Sequence, residues 1–256
     1  PNTPAPSNPV PSDRAPAPLP TPRFPADLEP VAHLSFDAFK GQVALDTSSA
    51  GRQNNARLKD TKRINGKLGR AIAFSGKSSG ARLANTPDIN LGTHKERTIS
   101  MWFKAGDITT DRKQVLYEEG GRTHGLNIYM EDKLLHIGGW GNKRNWNQGN
   151  WVTTKPNQVK ADRWHHVALV LDGDNQLRPN ALTAYLDGQK VGSTRATQLW
   201  RHQDGIGIGN TNGSTRFADG ASGPRKGFIG GIDDVQIYND VLSTNQIEAL
   251  ANGAIL

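Results

Sequence analysis

The chain has 256 residues and a formal net charge of +7, and it contains no cysteine. The absence of cysteine excludes disulfide bridges, cysteine nucleophiles and thiolate metal sites. No apolar run is long enough to span a bilayer, so we expect no membrane insertion. The positive charge favours polyanionic partners, but no recognised nucleic-acid-binding module accompanies it, and we expect no nucleic-acid partner.

Residues 1–30 form a proline-rich segment that we predict to be an extended arm or linker. The segment holds 11 of the 15 prolines, and proline removes the N–H donors that helices and ladders need. Its widely spaced apolar residues are expected to dock on the surface of a neighbouring copy: Val10, Leu19, Phe24 and Leu28. Because the chain begins at Pro1 without Met, we expect that a signal or upstream segment is removed and that the protein is secreted.

From residue 31 onward, short apolar alternations predict β-strands. The first lies at 31–36, and the others at 71–74, 98–104, 114–118, 126–129, 134–137, 164–171, 182–186, 206–208 and 228–238. Two of these runs end at Asp-Gly turn signals, Asp172-Gly173 and Asp187-Gly188. Many short strands between glycine-rich turns predict an all-β protein, an antiparallel β-sandwich or jelly roll.

The last predicted strand contains an unusual aspartate. A period of two places Asp233, Val235 and Ile237 on one face. We therefore expect Asp233 at the margin of the core, where a carboxylate must be hydrogen-bonded, paired or bound to a cation.

A short C-terminal helix follows this strand. Ser243 is a good N-cap, and Gln246 completes a capping box. Ile247 and Leu250 share one helical face, and Asn252-Gly253 is a stop signal.

Four segments, in order along the chain, resemble the laminin-G-like branch of the concanavalin A-like lectin/glucanase superfamily. They are GKLGRAIAFSG at 66–76, TISMWFK at 98–104, DRWHHVALVLDG with LTAYLDGQKVG at 162–192, and GFIGGIDDVQIYND followed by LSTNQI at 227–247. The resemblance implies one concanavalin A-like jelly roll over residues 31–256, preceded by the proline-rich arm.

The resemblance also implies a structural calcium site. It brings Asp37, at the end of the first strand, close to Asp233 in the last one. The segment DTSSAGRQNNA at 46–56 resembles a family loop that would offer Asp46 and Asn54. Calcium takes several converging oxygen ligands, so we predict Ca²⁺ at these four residues. The alternative is that Asp37 and Asp233 accept backbone hydrogen bonds without a metal.

The segment WGNKRNWNQGNW at 140–151 is the candidate ligand site. Indole faces cover sugar C–H groups while amide and guanidinium groups bind hydroxyls. The predicted ligand-binding residues are Trp140, Arg144, Asn145, Trp146 and Trp151. Alternatively, Trp140 and Trp151 end strands and pack in the core, or exposed tryptophans form a subunit contact. A basic run between residues 52 and 70, interpreted as a loop, would bind acidic polysaccharide or form a solvated face.

Catalytic signals are weak in this sequence. Glycosidases need two carboxylates about 5–10 Å apart, whereas neighbours such as Glu118 and Glu119 point to opposite faces of a strand. His165 and His166 diverge in the same way, and we predict structural roles for them. The sequence therefore predicts a non-enzymatic, extracellular or cell-surface glycan-binding or adhesion module. The alternative is a structural subunit of a surface assembly or filament, tied together by the arm.

Overall fold

The computed structural model describes residues 28–49, 53–76, 78–141, 149–223 and 227–254. Most of these residues lie in β-strands or in the short turns that connect them. In chain order the strands are β1 (Ala32–Leu34), β2 (Phe39–Lys40), β3 (Val43–Ala44), β4 (Ala56–Lys59), β5 (Lys62–Asn65), β6 (Arg70–Ser75), β7 (Gly80–Leu83), β8 (Glu96–Ala105), β9 (Gln114–Gly120), β10 (His124–Glu131), β11 (Leu134–Gly141), β12 (Asn150–Thr153), β13 (Trp164–Asp172), β14 (Arg178–Leu186), β15 (Gln189–Ala196), β16 (Ile206–Ile208), β17 (Thr215–Arg216), β18 (Ser222–Gly223) and β19 (Ile229–Tyr238). One helical turn spans Pro87–Leu91, and the α-helix α1 spans Thr244–Ala251.

Two large sheets pack face to face, β17 and β18 form a separate two-stranded ladder, and neighbouring strands pair antiparallel. In the described part of the chain, an eight-stranded sheet has the order β15-β14-β13-β8-β19-β6-β5, with β1 paired to β19, and a nine-stranded sheet has the order β12-β11-β10-β9-β16-β7-β4-β3-β2. Apolar side chains from both sheets, such as Phe103 and Ile128, form the main core between them. The predicted antiparallel sandwich is confirmed.

Helix α1 covers the outer face of the eight-stranded sheet. Ser243 and Gln246 form the predicted capping box. Ile247 and Leu250 are buried against a cluster that includes Tyr238, as predicted from their shared helical face. No helix among the described residues has the length and apolar character that crossing a membrane requires.

Most of the proline-rich arm, including Val10, Leu19 and Phe24, lies outside the described residues. Leu28 is half-buried and packs on the cluster beneath α1 of its own domain. Docking of the arm on a neighbouring copy therefore stays a prediction.

Strand β19 corrects one prediction about Asp233. Its register against β8 shifts between Asp233 and Gln236, and Asp234 has a φ of +48°. Val235 and Ile237 face the main core, whereas Asp233 lies opposite Trp102 and outside the main core cluster. The expectation that Asp233 shares a face with Val235 and Ile237 was wrong, because a β-bulge adds a residue and breaks the period of two.

The basic run between residues 52 and 70 is not a loop. It contains β4 and β5, which belong to different sheets. On β4, Ala56 and Leu58 are buried while Arg57 and Lys59 are exposed. The run was interpreted as a loop because its strands are only four residues long, too short for the alternation to be conspicuous.

Candidate functional site

A single row of paired residues crosses the outer face of the nine-stranded sheet from β3 to β12. Its members, each the Cα partner of the next, are Val43, Arg57, Arg82, Gly207, Glu118, Asn127, Gly138 and Trp151. Directly paired residues of a ladder point to the same side of the sheet. Leu58 and Leu83, the strand neighbours of the two arginines, point into the core. We call this set the outer row.

At one end of the outer row, Trp151 lies over Gly138. A Cβ atom on Gly138 would come within 2.7 Å of the indole ring, so the close approach requires glycine. Trp151 Nε1 donates to Asn127 Oδ1 at 2.7 Å, and the indole stacks on Trp140 with 6.4 Å between ring centroids. Polar and apolar parts of Trp151 therefore both have partners within the protein.

The predicted ligand-binding residues have different positions in the structure. Trp140 is fully buried and donates its indole N–H to Gly121 O, so its ring packs in the protein and is not available to a ligand. Trp151 is half-buried and has the contacts with Asn127 and Trp140 described above. Arg144, Asn145 and Trp146 lie outside the described residues, and their role stays a prediction.

Residues 209–223 cover the middle of the outer row. Asn212 N donates to Glu118 Oε2 at 3.1 Å, and Asn127 Nδ2 donates to Thr215 Oγ1 at 3.1 Å. Gly207 leaves room for this segment, because a Cβ atom there would lie 2.3 Å from Asn210 O. Burial raises the pKa of Glu118 well above its ordinary value, the largest of several influences on this carboxyl. Glu118 is therefore a buried carboxyl beneath the covering segment, with one oxygen bonded to Asn212 N and with burial favouring its protonated form.

The other end of the outer row is open. Two adjoining depressions, of about 390 and 430 Å³, share Arg57, Arg82 and Asn212, and we call them together the arginine groove. Amide side chains line much of it: Gln53, Asn55, Asn85, Gln203, Asn210 and Asn212. Asn212 Nδ2 is buried and has no hydrogen-bond acceptor among the described residues. The arginine groove thus offers many donors and acceptors to a polar ligand.

The adjacent carboxylates Glu118 and Glu119 point to opposite faces, as predicted. Glu119 faces the interior, where its Oε1 lies 3.4 Å from Arg97 Nε and both side chains are fully buried. Arg97 also donates to Asn239 Oδ1 at 2.7 Å. Burial raises the pKa of Glu119, while Arg97 acts in the opposite direction. This pair connects β8 and β9, one strand from each sheet, and is not placed to act on a surface ligand together with Glu118.

The paired histidines also diverge. His165 Nδ1 lies 2.8 Å from Asp187 Oδ2, and His166 Nε2 lies 2.8 Å from Ser100 Oγ. Burial lowers the pKa of His166 to about 4, so its ring is neutral. Both histidines are buried and bonded within the sandwich.

Of the four predicted calcium ligands, Asp37 and Asp233 hold the turn between β5 and β6. Asp233 Oδ2 accepts from Lys67 N and Leu68 N at 2.7 and 2.9 Å, and Asp37 Oδ1 accepts from Arg70 N at 2.8 Å. Asp233 Oδ1 is buried and has no hydrogen-bond partner in the described part of the chain. Burial raises the pKa of Asp233 to about 7, although the two N–H groups lower it.

Asp46 and Asn54, the other two predicted ligands, are bonded to each other and to the first strand. Asn54 N donates to Asp46 Oδ2 at 3.0 Å, and His33 N donates to Asp46 Oδ1 at 2.9 Å. The Asn54 amide donates to Val31 O and accepts from Thr86 Oγ1. No group of three or more His, Asp or Glu side chains within the described ranges is placed to hold a metal. The four residues therefore separate into two pairs.

Sequence reasoning missed Arg82 and the amide side chains of the arginine groove. A signal for the arginines was present, because the tripeptide Ala-Arg-Leu occurs at both 56–58 and 81–83. In a strand this pattern exposes the arginine between two buried residues. The amides carried no such signal, because the segments that supply them, at 53–55, 85, 203 and 210–212, all lie outside strands and are brought together only by the fold.

The two packed antiparallel sheets, with one open outer face, define a β-sandwich of the jelly-roll class. The chain belongs to the concanavalin A-like lectin/glucanase superfamily, since a laminin G family model of that description matches residues 75–248. A search of curated proteins finds no match.

Solved structures of similar fold include carbohydrate-bound proteins. Domain 4 of AbnA, a GH43 extracellular arabinanase from Geobacillus stearothermophilus, in complex with arabinotriose, has a TM-score of 0.60 at 18% identity, covering 88% of this chain and 98% of that one. The botulinum neurotoxin serotype D ligand binding domain in complex with N-acetylneuraminic acid has a TM-score of 0.63 at 12% identity, covering 89% and 51%. The binding domain of Paraclostridial Mosquitocidal Protein 1 has a TM-score of 0.64 at 16% identity, covering 88% and 52%. This chain spans about half the length of the two toxin domains, and at these identities the likeness concerns the fold.

Proposed function

We propose that this chain is a non-enzymatic carbohydrate-binding module of an extracellular or cell-surface protein, and that a glycan chain lies in the arginine groove. The observation that carries the proposal is the groove itself, an open depression lined by amide and guanidinium groups on the outer face of a lectin-like sandwich. Such groups recognise sugar hydroxyls through directed hydrogen bonds. Two of the similar structures are complexes with sugars, arabinotriose and N-acetylneuraminic acid, and this supports the same class of ligand here.

The lining of the arginine groove supports binding without catalysis. Among the described residues, none that lines it is Asp or Glu, whereas glycoside hydrolysis ordinarily needs two carboxylates at the scissile bond. The nearby carboxyl of Glu118 is buried under residues 209–223. A ligand in the groove would thus meet hydrogen-bonding groups and positive charge.

The test is to block the arginine groove without changing its charge. Ala84 is exposed and lines the groove, so Ala84→Trp should fill it. Ala161 is also exposed but lies just before β13, in the other sheet, and Ala161→Trp is the matched control. Binding to a panel of neutral and acidic polysaccharides is measured by affinity electrophoresis, with reducing-end release as the catalytic readout. We expect Ala84→Trp to lose binding, Ala161→Trp to retain it, and neither protein to release sugar. Unaltered binding by Ala84→Trp would contradict the proposed site.

We also propose that Ca²⁺ binds at the β5–β6 turn, with Asp233 and Asp37 as the residues that would hold it. The support is Oδ1 of Asp233, which is buried and has no hydrogen-bond partner among the residues that the structure describes, and whose charge a cation would stabilise. Without a cation, a pKa raised to about 7 means that stability falls as the pH rises from about 4 toward 7. At pH 7.5 we expect calcium to raise the melting temperature of the wild type but not of Asp233→Asn. Equal melting curves in calcium and in EDTA would contradict this proposal.

A further inference from the structure

Arg57 and Arg82 are an uncompensated pair of like charges. They are direct partners in the antiparallel ladder of β4 and β7, and both are exposed on the same face. Directly opposed residues have Cα atoms about 4.5–5.5 Å apart, and like charges in that position destabilise a sheet. Neither arginine forms a salt bridge within the described ranges. Arg82 Nη2 donates one bond, to Asn212 O at 3.3 Å.

The surroundings of the pair do not neutralise it. Lys59 adds a third cation to the same groove. Asp60 lies beside Lys59 at one end of β4, where its carboxylate accepts from Ser78 Oγ at 2.6 Å. Glu118 faces the same side of the sheet two strands from Arg82, but it is fully buried and accepts from Asn212 N. Burial also raises its pKa, which disfavours the charged form, although Arg82 acts in the opposite direction. The middle of the groove therefore keeps its positive charge.

The pair lies where the two halves of the groove meet. Arg57, Arg82 and Asn212 line both depressions, whereas Lys59 lines one and Asn85 the other. An extended chain that occupies both halves must pass over the two guanidinium groups. Each guanidinium presents a planar fork of donors that matches a carboxylate or sulfate.

We propose that Arg57 and Arg82 form a clamp for one anionic group, a carboxylate or sulfate, of an acidic polysaccharide chain lying in the arginine groove. This inference rests on the proposed function and names its ligand class. The amide side chains on either side of the pair bind hydroxyl groups of the flanking sugars. Lys59 lies two residues along β4 from Arg57 and attracts the next charge of the chain.

The groove favours a polysaccharide over a nucleic acid. Proteins that hold single-stranded nucleic acid combine positive charge with aromatic side chains on which bases stack. Within the described part of the chain, no aromatic residue lines the arginine groove. Sugar rings carrying hydroxyl and anionic groups match the amides and guanidinium groups that are present.

The experiment compares polymers that differ only in charge. Polygalacturonate is measured against its carboxyl-reduced product, and dextran sulfate against dextran, which separates the two anions. The variants are Arg57→Gln/Arg82→Gln, Arg57→Lys/Arg82→Lys and the control Arg195→Gln, an exposed arginine on β15 of the other sheet. Affinity is measured at several salt concentrations, and circular dichroism checks that each variant is folded.

We expect the wild type to bind at least one charged polymer about tenfold or more tightly than its neutral partner. The glutamine pair should lose this preference, and Arg195→Gln should keep it. The lysine pair should keep the salt dependence but bind less tightly, because lysine is a point charge without the planar fork.

Equal binding of charged and neutral polymers would overturn the clamp while leaving the proposed function intact, provided that Ala84→Trp still abolishes binding. An equal loss in Arg195→Gln would also overturn it, since general positive charge would then explain the preference. Tighter binding to single-stranded DNA than to either charged polymer would overturn the choice of ligand class. Failure to bind any polysaccharide would instead refute the proposed function itself.

Discussion

The two ends of the outer row differ in how far their side chains are bonded within the protein, although both ends belong to the same row of paired residues in the nine-stranded sheet. At the tryptophan end, Trp151 fits over Gly138, and its N–H is bonded to Asn127. At the arginine end, Arg57 and Arg82 face each other in solvent, and among the described residues their guanidinium groups form one hydrogen bond, from Arg82 to Asn212 O. The side chains at the tryptophan end are bonded and packed within the protein, whereas the guanidinium groups at the arginine end can still form hydrogen bonds with a ligand.

This difference shows that the position of a residue in a strand determines only the face of the sheet to which its side chain points. Whether the side chain is then available to a ligand depends on whether another segment covers that part of the sheet. Residues 209–223 place partners over Glu118 and Asn127 but reach the arginines only at Asn212. Buried polar groups are ordinarily hydrogen-bonded, and in the covered part of the row Asn127 and Oε2 of Glu118 have partners within the protein. The uncovered part is available to a ligand.

The largest expected effect tests whether the tryptophan end is a packing site. In Gly138→Ala the new methyl group would lie 2.2 Å from Asn150 O and 2.7 Å from Trp151. We expect the free energy of unfolding to fall by about 1–3 kcal/mol, because backbone and indole must both move. Urea unfolding monitored by tryptophan fluorescence measures this.

Gly80→Ala at the arginine end is the control for that substitution. Its nearest new contact is 3.3 Å from Asn210 Cβ, so we expect a change within about 0.5 kcal/mol. If Gly138→Ala were as mild as Gly80→Ala, the tryptophan end would not be tightly packed and the comparison would fail.

The second prediction concerns Glu118, between the two ends. Its pKa is raised above 4.5 by burial, so the folded protein keeps a proton that the unfolded chain loses. The contribution of Glu118 to stability is therefore full below pH 4.5 and is lost as the pH rises toward its folded pKa. Glu118→Gln cannot ionise, and its stability should decline less between pH 5 and 8 than that of the wild type.

The control for this prediction is Glu96→Gln, at an exposed position on β8. Urea unfolding across the same pH range should show the wild-type slope for this variant. An identical pH slope for Glu118→Gln would mean that Glu118 is ionised in the folded protein. The groove would then be less positive than we infer, and the contrast between the two ends would weaken.

The smallest expected effect is on the stability of the arginine end. Arg57→Gln removes one of two directly opposed like charges. We expect the free energy of unfolding to rise by about 0.2–1 kcal/mol at low ionic strength, and the gain to shrink in 1 M salt. A loss of stability would indicate that Arg57 has a structural partner, and Arg195→Gln serves again as the control.

Much of the fold was predictable because it follows from local patterns. The strand at 206–208 was placed at its observed bounds, and the capping box at Ser243 and Gln246 is present. Period-two alternation and N-cap chemistry act within a few residues, so the sequence displays them directly. The segments that resemble the superfamily correctly indicated its sandwich.

The candidate site was predicted less well, because its residues come from distant segments. Trp140 belongs to an aromatic-rich segment that is typical of sugar binding, yet the fold buries its ring. Asp233 was assigned to the wrong face because a single bulge reversed the alternation. The burial of Trp140 and the bulge beside Asp233 both depend on contacts with distant strands. The local amino-acid pattern is the same with or without them, so the sequence could not reveal either one.

The all-β class, the C-terminal helix, the superfamily and the excess of positive charge can all be read from the amino-acid sequence, because each depends on composition or short-range order. Which charges act together depends on the folded chain. Residues 57 and 82 are 25 positions apart in the chain, and ladder pairing places them side by side. Residues 209–223 then leave these two exposed while covering Glu118 and Asn127. Which residues of the row are covered depends on packing between segments that are distant in the chain, and a short stretch of sequence does not indicate it.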